Sequence, residues 1–535
     1  MMNGYFLLVL HTHLPYVNHP NHDLYLEERW YVEAVLESYV PLLMMFDRLQ
    51  EKKVPFKVTI SLSPPLLEMF RNTTLTEKLK KYAEKLVELC EKEIARANTQ
   101  QERDLAGFYR ERFLACLNYL DSLNSNLANG FKKHAEFGNV QLITCNATHG
   151  FLPLMRHQPF AVDTQIKVGV ETFKRHFGFE TKGIWLAECG YYSGLDETLK
   201  KYGVEFFFVD SHAFWYADER PYFDVYRPVM TPSGVFAFAR DPESSEQVWS
   251  ATLGYPGDGR YREFYRDLGF DRDYDYIKPY IDKSGVRVNV GIKYHRITSR
   301  ETPLDKKELY SRDEALSAAK EHALDFLNKK ISQINSLTDV FNQPPVIVAP
   351  FDTELFGHWW FEGPEFLENF FVEASRYRQI KFATPSEVLE KFDSFQIVTP
   401  ADSSWGSGGY FDTWLNGKND WIQLHLVEIR DRMKRLAETY FEEKDPLKTR
   451  VLNQMLRELL LAESSDWPFI MTTGTNVEYA VNRIKTHVKR FLDLETQLVK
   501  DNIDGEFLAR LEQEDDVFPW IDFRYYAAFQ TRKEG

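Results

Sequence analysis

Cysteine is scarce. The 535 residues hold four, Cys90, Cys116, Cys145 and Cys189, and no two have CxxC spacing. Neither a zinc ribbon nor a thioredoxin-like redox site is therefore suggested, and the usage points inside the cell. Cys90 and Cys116 fall at apolar positions of expected helices and read as small core hydrophobes. Long hydrophobic runs are missing too. Met1–Leu10 has only six apolar residues in a row and no basic lead-in, and nothing later approaches the roughly 18 residues of a spanning segment. The expectation is a soluble, cytoplasmic protein without a membrane partner. Positive charge is in deficit, 65 basic against 80 acidic residues and a net charge of -15, which argues against a nucleic-acid partner. There is no GxxxxGK[ST], no GxGxxG after a strand, no internal repeat and no low-complexity tract.

Aromatic residues, by contrast, are plentiful at 15%, with 41 Phe, 28 Tyr and 11 Trp. A neutral ligand that stacks on rings fits this composition, and a sugar polymer is one. Hydrophobic residues at 44% and charged residues at 27% leave ample material for a large core.

Short apolar runs recur at Tyr5–Leu10, Phe56–Leu62, Val140–Thr144, Gly183–Leu186, Glu205–Val209, Val346–Pro350 and Ile380–Ala383. Unbroken apolar runs suit strands buried on both faces, and helical stretches follow most of them, so the pattern predicts an α/β fold. Counting runs leaves a closed barrel and an open sheet equally available. Residues from about 75 to 137 read as a helical insertion, with Leu79, Tyr82, Leu86 and Leu89 on one face. Residues from about 211 to 283, rich in Tyr, Pro, Gly and Asp, read as a loop-rich excursion that shapes a site. After a polar loop at 399–409 the chain turns helical. Ile422, Leu426, Ile429, Met433, Leu436 and Tyr440 share one face, and further helices are expected over Lys448–Ala462, Val477–Phe491 and Gly505–Glu514. The predicted division is 1–398 for the catalytic unit and 399–535 for a helical domain that contributes to the cleft.

Residues able to do chemistry gather where the strands would end. They are His11 and His13 after the first run, His149 after the third, Glu188 after the fourth and Asp352 after the sixth. Parallel strands would bring these clusters to one barrel mouth. Glu188 and Asp352 could be the two carboxylates that glycosidic cleavage needs, or could pair with arginines. His11, His13 and His149 with Asp352 could bind a divalent metal, hydrogen-bond a substrate, or serve the fold. Trp405 lies in a polar, glycine-rich loop, where an indole has little reason to be without a partner. Asp466 follows a helix end and could cap it locally.

Together these segments resemble glycoside hydrolase family 57, and within it the glycogen branching enzymes and their amylase-like relatives. The matching segments are His11–Tyr16, Ala147–Leu154, Gly183–Tyr191, Ala349–Trp360 and, more weakly, Met471–His487. The resemblance implies an incomplete seven-unit (β/α) barrel with a helical C-terminal domain. It implies a retaining mechanism on α-1,4-glucan without cofactor or metal, making α-1,6 branches, with amylase-like hydrolysis or glucan transfer as the alternative. In that reading Glu188 is the nucleophile and Asp352 the acid/base. His11, His13 and His149 line the cleavage subsite, Arg260, Trp405 and Asp466 bind substrate, and Trp30 and Trp414 are stacking platforms. Branching enzymes of the family carry a tyrosine on a mobile loop, for which Tyr216, Tyr222 and Tyr226 are available here. The sequence leaves the oligomeric state open, with a monomer as the favoured expectation.

Overall fold

All seven apolar runs become strands in the computed structural model, which describes residues 4–249, 254–281 and 283–527. The N-terminal three residues, parts of the excursion and the last eight residues of the expected helical domain lie outside the described residues. The strands are β1 (Gly4–Thr12), β2 (Val58–Leu62), β3 (Val140–Cys145), β4 (Gly183–Trp185), β5 (Phe206–Val209), β6 (Val229–Met230), β7 (Phe236–Ala239), β8 (Val346–Asp352) and β9 (Ile380–Phe382). They form one sheet in the order β6-β7-β5-β4-β3-β2-β1-β8, with β9 on the start of β1, and only β6–β7 is antiparallel.

The curled sheet is an incomplete barrel. No ladder joins β7 to β8, but just past β7 the Asp241 N–H donates to the Val348 carbonyl of β8 at 2.8 Å. The structure corrects which strands make the barrel, not their number, which is seven. The run at Ile380 lies beside Gly4 at the foot of β1, and β7 takes the barrel position next to β5. Val235–Ala239 is a five-residue apolar run as long as others read as strands, but it lies in a stretch rich in Pro, Gly and Tyr that reads as loop. The excursion therefore begins as barrel and only then loops outward.

Strands buried on both faces explain the unbroken apolar pattern. One set of side chains, including Leu7, Val9, Ile143, Trp185, Phe206, Phe208 and Phe238, forms its own buried cluster within the curl. Trp185 is the uppermost of these, stacked 4.8 Å beneath the His11 ring. The barrel filling is thus the floor of whatever lies at the strand ends.

The insertion is helical as expected. Helices Thr73–Arg96 and Gln100–Ser122 pack together. The first is capped by Asn72, whose side chain accepts the Leu75 N–H, and the second by a Thr99–Glu102 capping box. The C-terminal region is helical at Trp421–Thr439, Pro446–Ala462, Asp466–Thr473, Val477–Val499 and Gly505–Glu514. Ile422, Leu426, Ile429 and Met433 are buried along one face, as their spacing predicts. All four cysteines are buried thiols. Among the described residues no helix is long and apolar enough to cross a membrane.

Candidate active site

Register levels the strand ends. His11 of β1 stands beside Ser61 of β2 on one side and Asp352 of β8 on the other. Glu188 follows β4 in a left-handed conformation, φ 61° and ψ 24°. A residue with a Cβ reaches that region only at some cost, and the surroundings must hold it there. Here they do so from the helical region and the loop before it. Glu188 Oε2 accepts the Trp405 indole N–H at 2.7 Å, and Oε1 accepts the Ser465 hydroxyl at 2.8 Å. The Trp405 backbone N–H also donates to the Glu188 carbonyl at 3.0 Å.

The three histidines form one hydrogen-bonded stack. His11 Nε2 lies 2.9 Å from His149 Nε2, and His149 Nδ1 lies 2.7 Å from the Ser465 hydroxyl. The His13 ring stacks on His149 with centroids 3.8 Å apart and planes 10° from parallel. His13 Nε2 sits 3.0 Å from Asp466 Oδ2, which also accepts the Ser464 hydroxyl. Burial lowers the proton affinity of His11 and His149 well below the usual imidazole range, and each histidine's neighbouring rings add to this. Asp466 moves the other way from a buried acid. His13 beside it holds its carboxyl well below the usual range despite burial.

The two carboxylates at the strand ends differ in their support. Burial pushes Glu188 up, and its two donors draw it back. Burial pushes Asp352 well above the carboxylate range, and the charges of Glu354 and Glu188 add to the rise. Among the described residues no donor reaches the Asp352 carboxyl. Burial and its charged neighbours thus push Asp352 toward its protonated form, while the two donors on Glu188 favour its ionised form. Beside them opens a groove of about 460 Å³, lined by Asp352, Trp405, Arg240 and Trp249.

His11, His13, His149, Glu188, Trp405 and Asp466 are thus brought into one connected set, with Asp352 beside it. The remaining candidates are not. Trp414 is 1% exposed and stacks on Phe151 at 4.5 Å, so its faces are closed to a sugar and it supports the Trp405 loop from below. Arg260 is held by Asp258 at 2.9 Å and Glu321 at 2.8 Å, and none of its described contacts reaches Glu188 or Asp352. Trp30 lines a second depression of about 430 Å³ and meets Tyr479 edge-on at 5.2 Å. Sequence reasoning passed over Ser465, Arg240 and Glu354. Ser465 adjoins Asp466, so its place beside a flagged residue was the available signal.

Two groups of described residues could in principle hold a metal, His13–His149–Asp466 and Glu458–His487–Asp515. Asp352 belongs to neither. In the first group both His149 nitrogens are engaged, and the two parallel rings cannot aim in-plane lone pairs at one point.

Comparison with known proteins identifies the family. Residues 7–329 match the model of glycosyl hydrolase family 57, and residues 425–526 match that of the 1,4-alpha-glucan branching enzyme C-terminal region. The 1,4-alpha-glucan branching enzyme TK1436 of Thermococcus kodakarensis is 34% identical, over 97% of this chain and 78% of that enzyme. The crystal structure of the alpha-amylase AmyC from Thermotoga maritima superposes with a TM-score of 0.94 at 55% identity, over 99% of this chain and 100% of that one. That of the branching enzyme from Pyrococcus horikoshii gives 0.88 at 34% identity, over 99% and 98%. The chain belongs to glycosyl hydrolase family 57, closely related to its 1,4-alpha-glucan branching enzymes.

Proposed function

We propose that this enzyme cleaves α-1,4-glucosidic bonds by a retaining double displacement and transfers the glucan chain to a 6-hydroxyl, with water as the competing acceptor. The observation that carries the reading is the unequal support of the two carboxylates. Glu188 has both oxygens fixed by donors, while Asp352 has none among the described residues and is pushed by burial toward its protonated form.

In the first step Asp352 gives its proton to the glycosidic oxygen as Glu188 attacks the anomeric carbon. The leaving chain departs with its new hydroxyl, and a glucosyl ester remains on Glu188. Asp352, now ionised, takes the proton of the incoming hydroxyl, which attacks the anomeric carbon and releases Glu188. His13, oriented by Asp466, meets the sugar hydroxyls, and the neutral His11 and His149, whose ring nitrogens are engaged by Ser61, by each other and by Ser465, support that ring from behind. Trp405 walls the groove on the acceptor side. The barrel, 1–398, supplies the carboxylates, and 399–535 supplies the groups that aim Glu188.

Hydrolysis as the main outcome is the second reading. The 55% identity with a Thermotoga maritima alpha-amylase over 99% of the chain supports it. Both readings use the same catalytic residues and differ in who occupies the acceptor site and how dry it is. One experiment separates them: incubation with amylose, counting α-1,6 linkages against new reducing ends. Branches outnumbering reducing ends support transfer, and reducing ends without branches support hydrolysis. Glu188→Gln should abolish both, and activity retained in that variant would sink the mechanism.

A further inference from the structure

In the first helical segment the chain makes one π turn, Val35–Tyr39, in which the Val40 N–H reaches back to the Val35 carbonyl. The extra residue rotates side chains out of α-helical register, and such turns concentrate at functional sites. This one presents three consecutive side chains to the segment after Asp352. Glu37 Oε2 lies 2.7 Å from His358 Nδ1, the Ser38 hydroxyl accepts the His358 N–H at 3.0 Å, and Tyr39 donates its hydroxyl to Glu354 Oε1. The backbones are equally close. A Cβ at Gly357, where φ is 119°, would stand 1.9 Å from the Glu37 carbonyl oxygen, so only glycine fits. The nearby His13 backbone N–H also favours the charged form of Glu354. Glu354 lies two residues from Asp352, and no step of the mechanism uses it.

We infer that Glu354, held by Tyr39 from the π turn, is a positioning residue whose charge governs how firmly Asp352 keeps its proton. The inference rests on Asp352 being the acid/base. Asp352 faces Glu354, Glu188, His13 and Arg240. Glu354 faces the Tyr39 hydroxyl and the His13 N–H, and Tyr39 faces Tyr31 and both carboxyls. A negative neighbour favours the protonated form of an acid. Burial holds Glu354 up at about 7, and its bond from Tyr39 draws it down. Glu354 therefore ionises near neutrality, and once charged it tightens the Asp352 proton in the pH range where a lone carboxyl would lose it.

The test is the pH profile of kcat and kcat/KM on amylose for the wild type, Glu354→Gln, Tyr39→Phe and Asp352→Asn. Asp352 must be protonated for the first step, so it sets the basic limb. Glu354→Gln should move that limb down by about one pH unit with KM within about twofold. Tyr39→Phe keeps the ring and its packing, so it tests the inference even where Glu354→Gln folds poorly. Without the donor Glu354 stays neutral to higher pH, and the limb should move the same way by less. An unmoved limb in both variants, or a change in KM alone, overturns the inference while leaving the mechanism intact. Wild-type activity in Asp352→Asn would overturn the mechanism and the inference with it.

Discussion

The Trp405 indole N–H is bonded to Glu188 Oε2 at 2.7 Å, so a ring expected to stack on sugar also aims a carboxylate. The two roles separate by substitution. Trp405→Phe keeps a ring in the groove but loses the donor. A hydrogen bond to a charged group is worth roughly 1.5–3 kcal/mol, so cleavage should fall about tenfold to a hundredfold. Transfer and hydrolysis should fall in parallel, because both pass through the Glu188 ester. Trp405→Ala also opens the groove to water, so new reducing ends should gain on new branches. Initial rates of both products from amylose check this, and a Phe variant at full rate would show that the indole bond is idle.

Much of this was legible before any coordinates. Unbroken apolar runs marked the strands because burial on both faces leaves no polar alternation to hide them. Residues just past those runs marked the mouth, since parallel strands must end together. What escaped was short or distant. Strand β7 is four residues long and sits among turn formers. Ser465 reaches Glu188 across 277 positions of sequence, and no local pattern encodes a bond of that span. Trp414 shows the opposite case. The family resemblance made it a stacking platform, but its burial against Phe151 depends on a neighbour far away in the chain.

Ser465 donates to Glu188 Oε1 and also contacts His149 Nδ1. Glu188 must be ionised to attack, and the donor favours the ionised form. Ser465→Ala leaves burial unopposed on that oxygen, so the Glu188 pKa should rise and the acidic limb of the pH profile should move to higher pH, by about one unit. The basic limb should stay in place. Profiles of kcat/KM between pH 4 and 9 distinguish this from a uniform loss of activity, which would mean that Ser465 serves only packing.

Stereochemistry tests the double displacement directly. In a retaining site the carboxyls of Glu188 and Asp352 lie about 5–5.5 Å apart in the substrate complex, with no room for a catalytic water between them. The newly released reducing end should then appear first as the α anomer. Proton NMR during the first minutes of amylose cleavage, before mutarotation, reads this out. A β anomer at the earliest times would require inversion and remove Glu188 from the role of nucleophile.

The histidine cluster makes a prediction about metal. Ligand atoms of His13, His149 and Asp466 lie within 4.8 Å of one another, close enough to raise the question. Geometry answers against it. Imidazole lone pairs lie in the ring plane, and the His13 and His149 planes are stacked 3.8 Å apart and 10° from parallel. An ion between them would stand well off both planes, far from the ordinary bonding direction at the 2.0–2.1 Å typical of zinc on histidine. Both His149 nitrogens are already engaged, by His11 and Ser465. Asp466 is held ionised by His13, so its charge already has a partner. We therefore expect the purified enzyme to carry no stoichiometric zinc and to keep its full rate after dialysis against a chelator. Asp466→Asn should raise KM for amylose by about tenfold, the loss of one charge-assisted bond worth ~1.5 kcal/mol to an aimed His13, without changing the metal content. Zinc recovered at one ion per chain, together with activity lost to the chelator and restored by the ion, would make this cluster a metal centre.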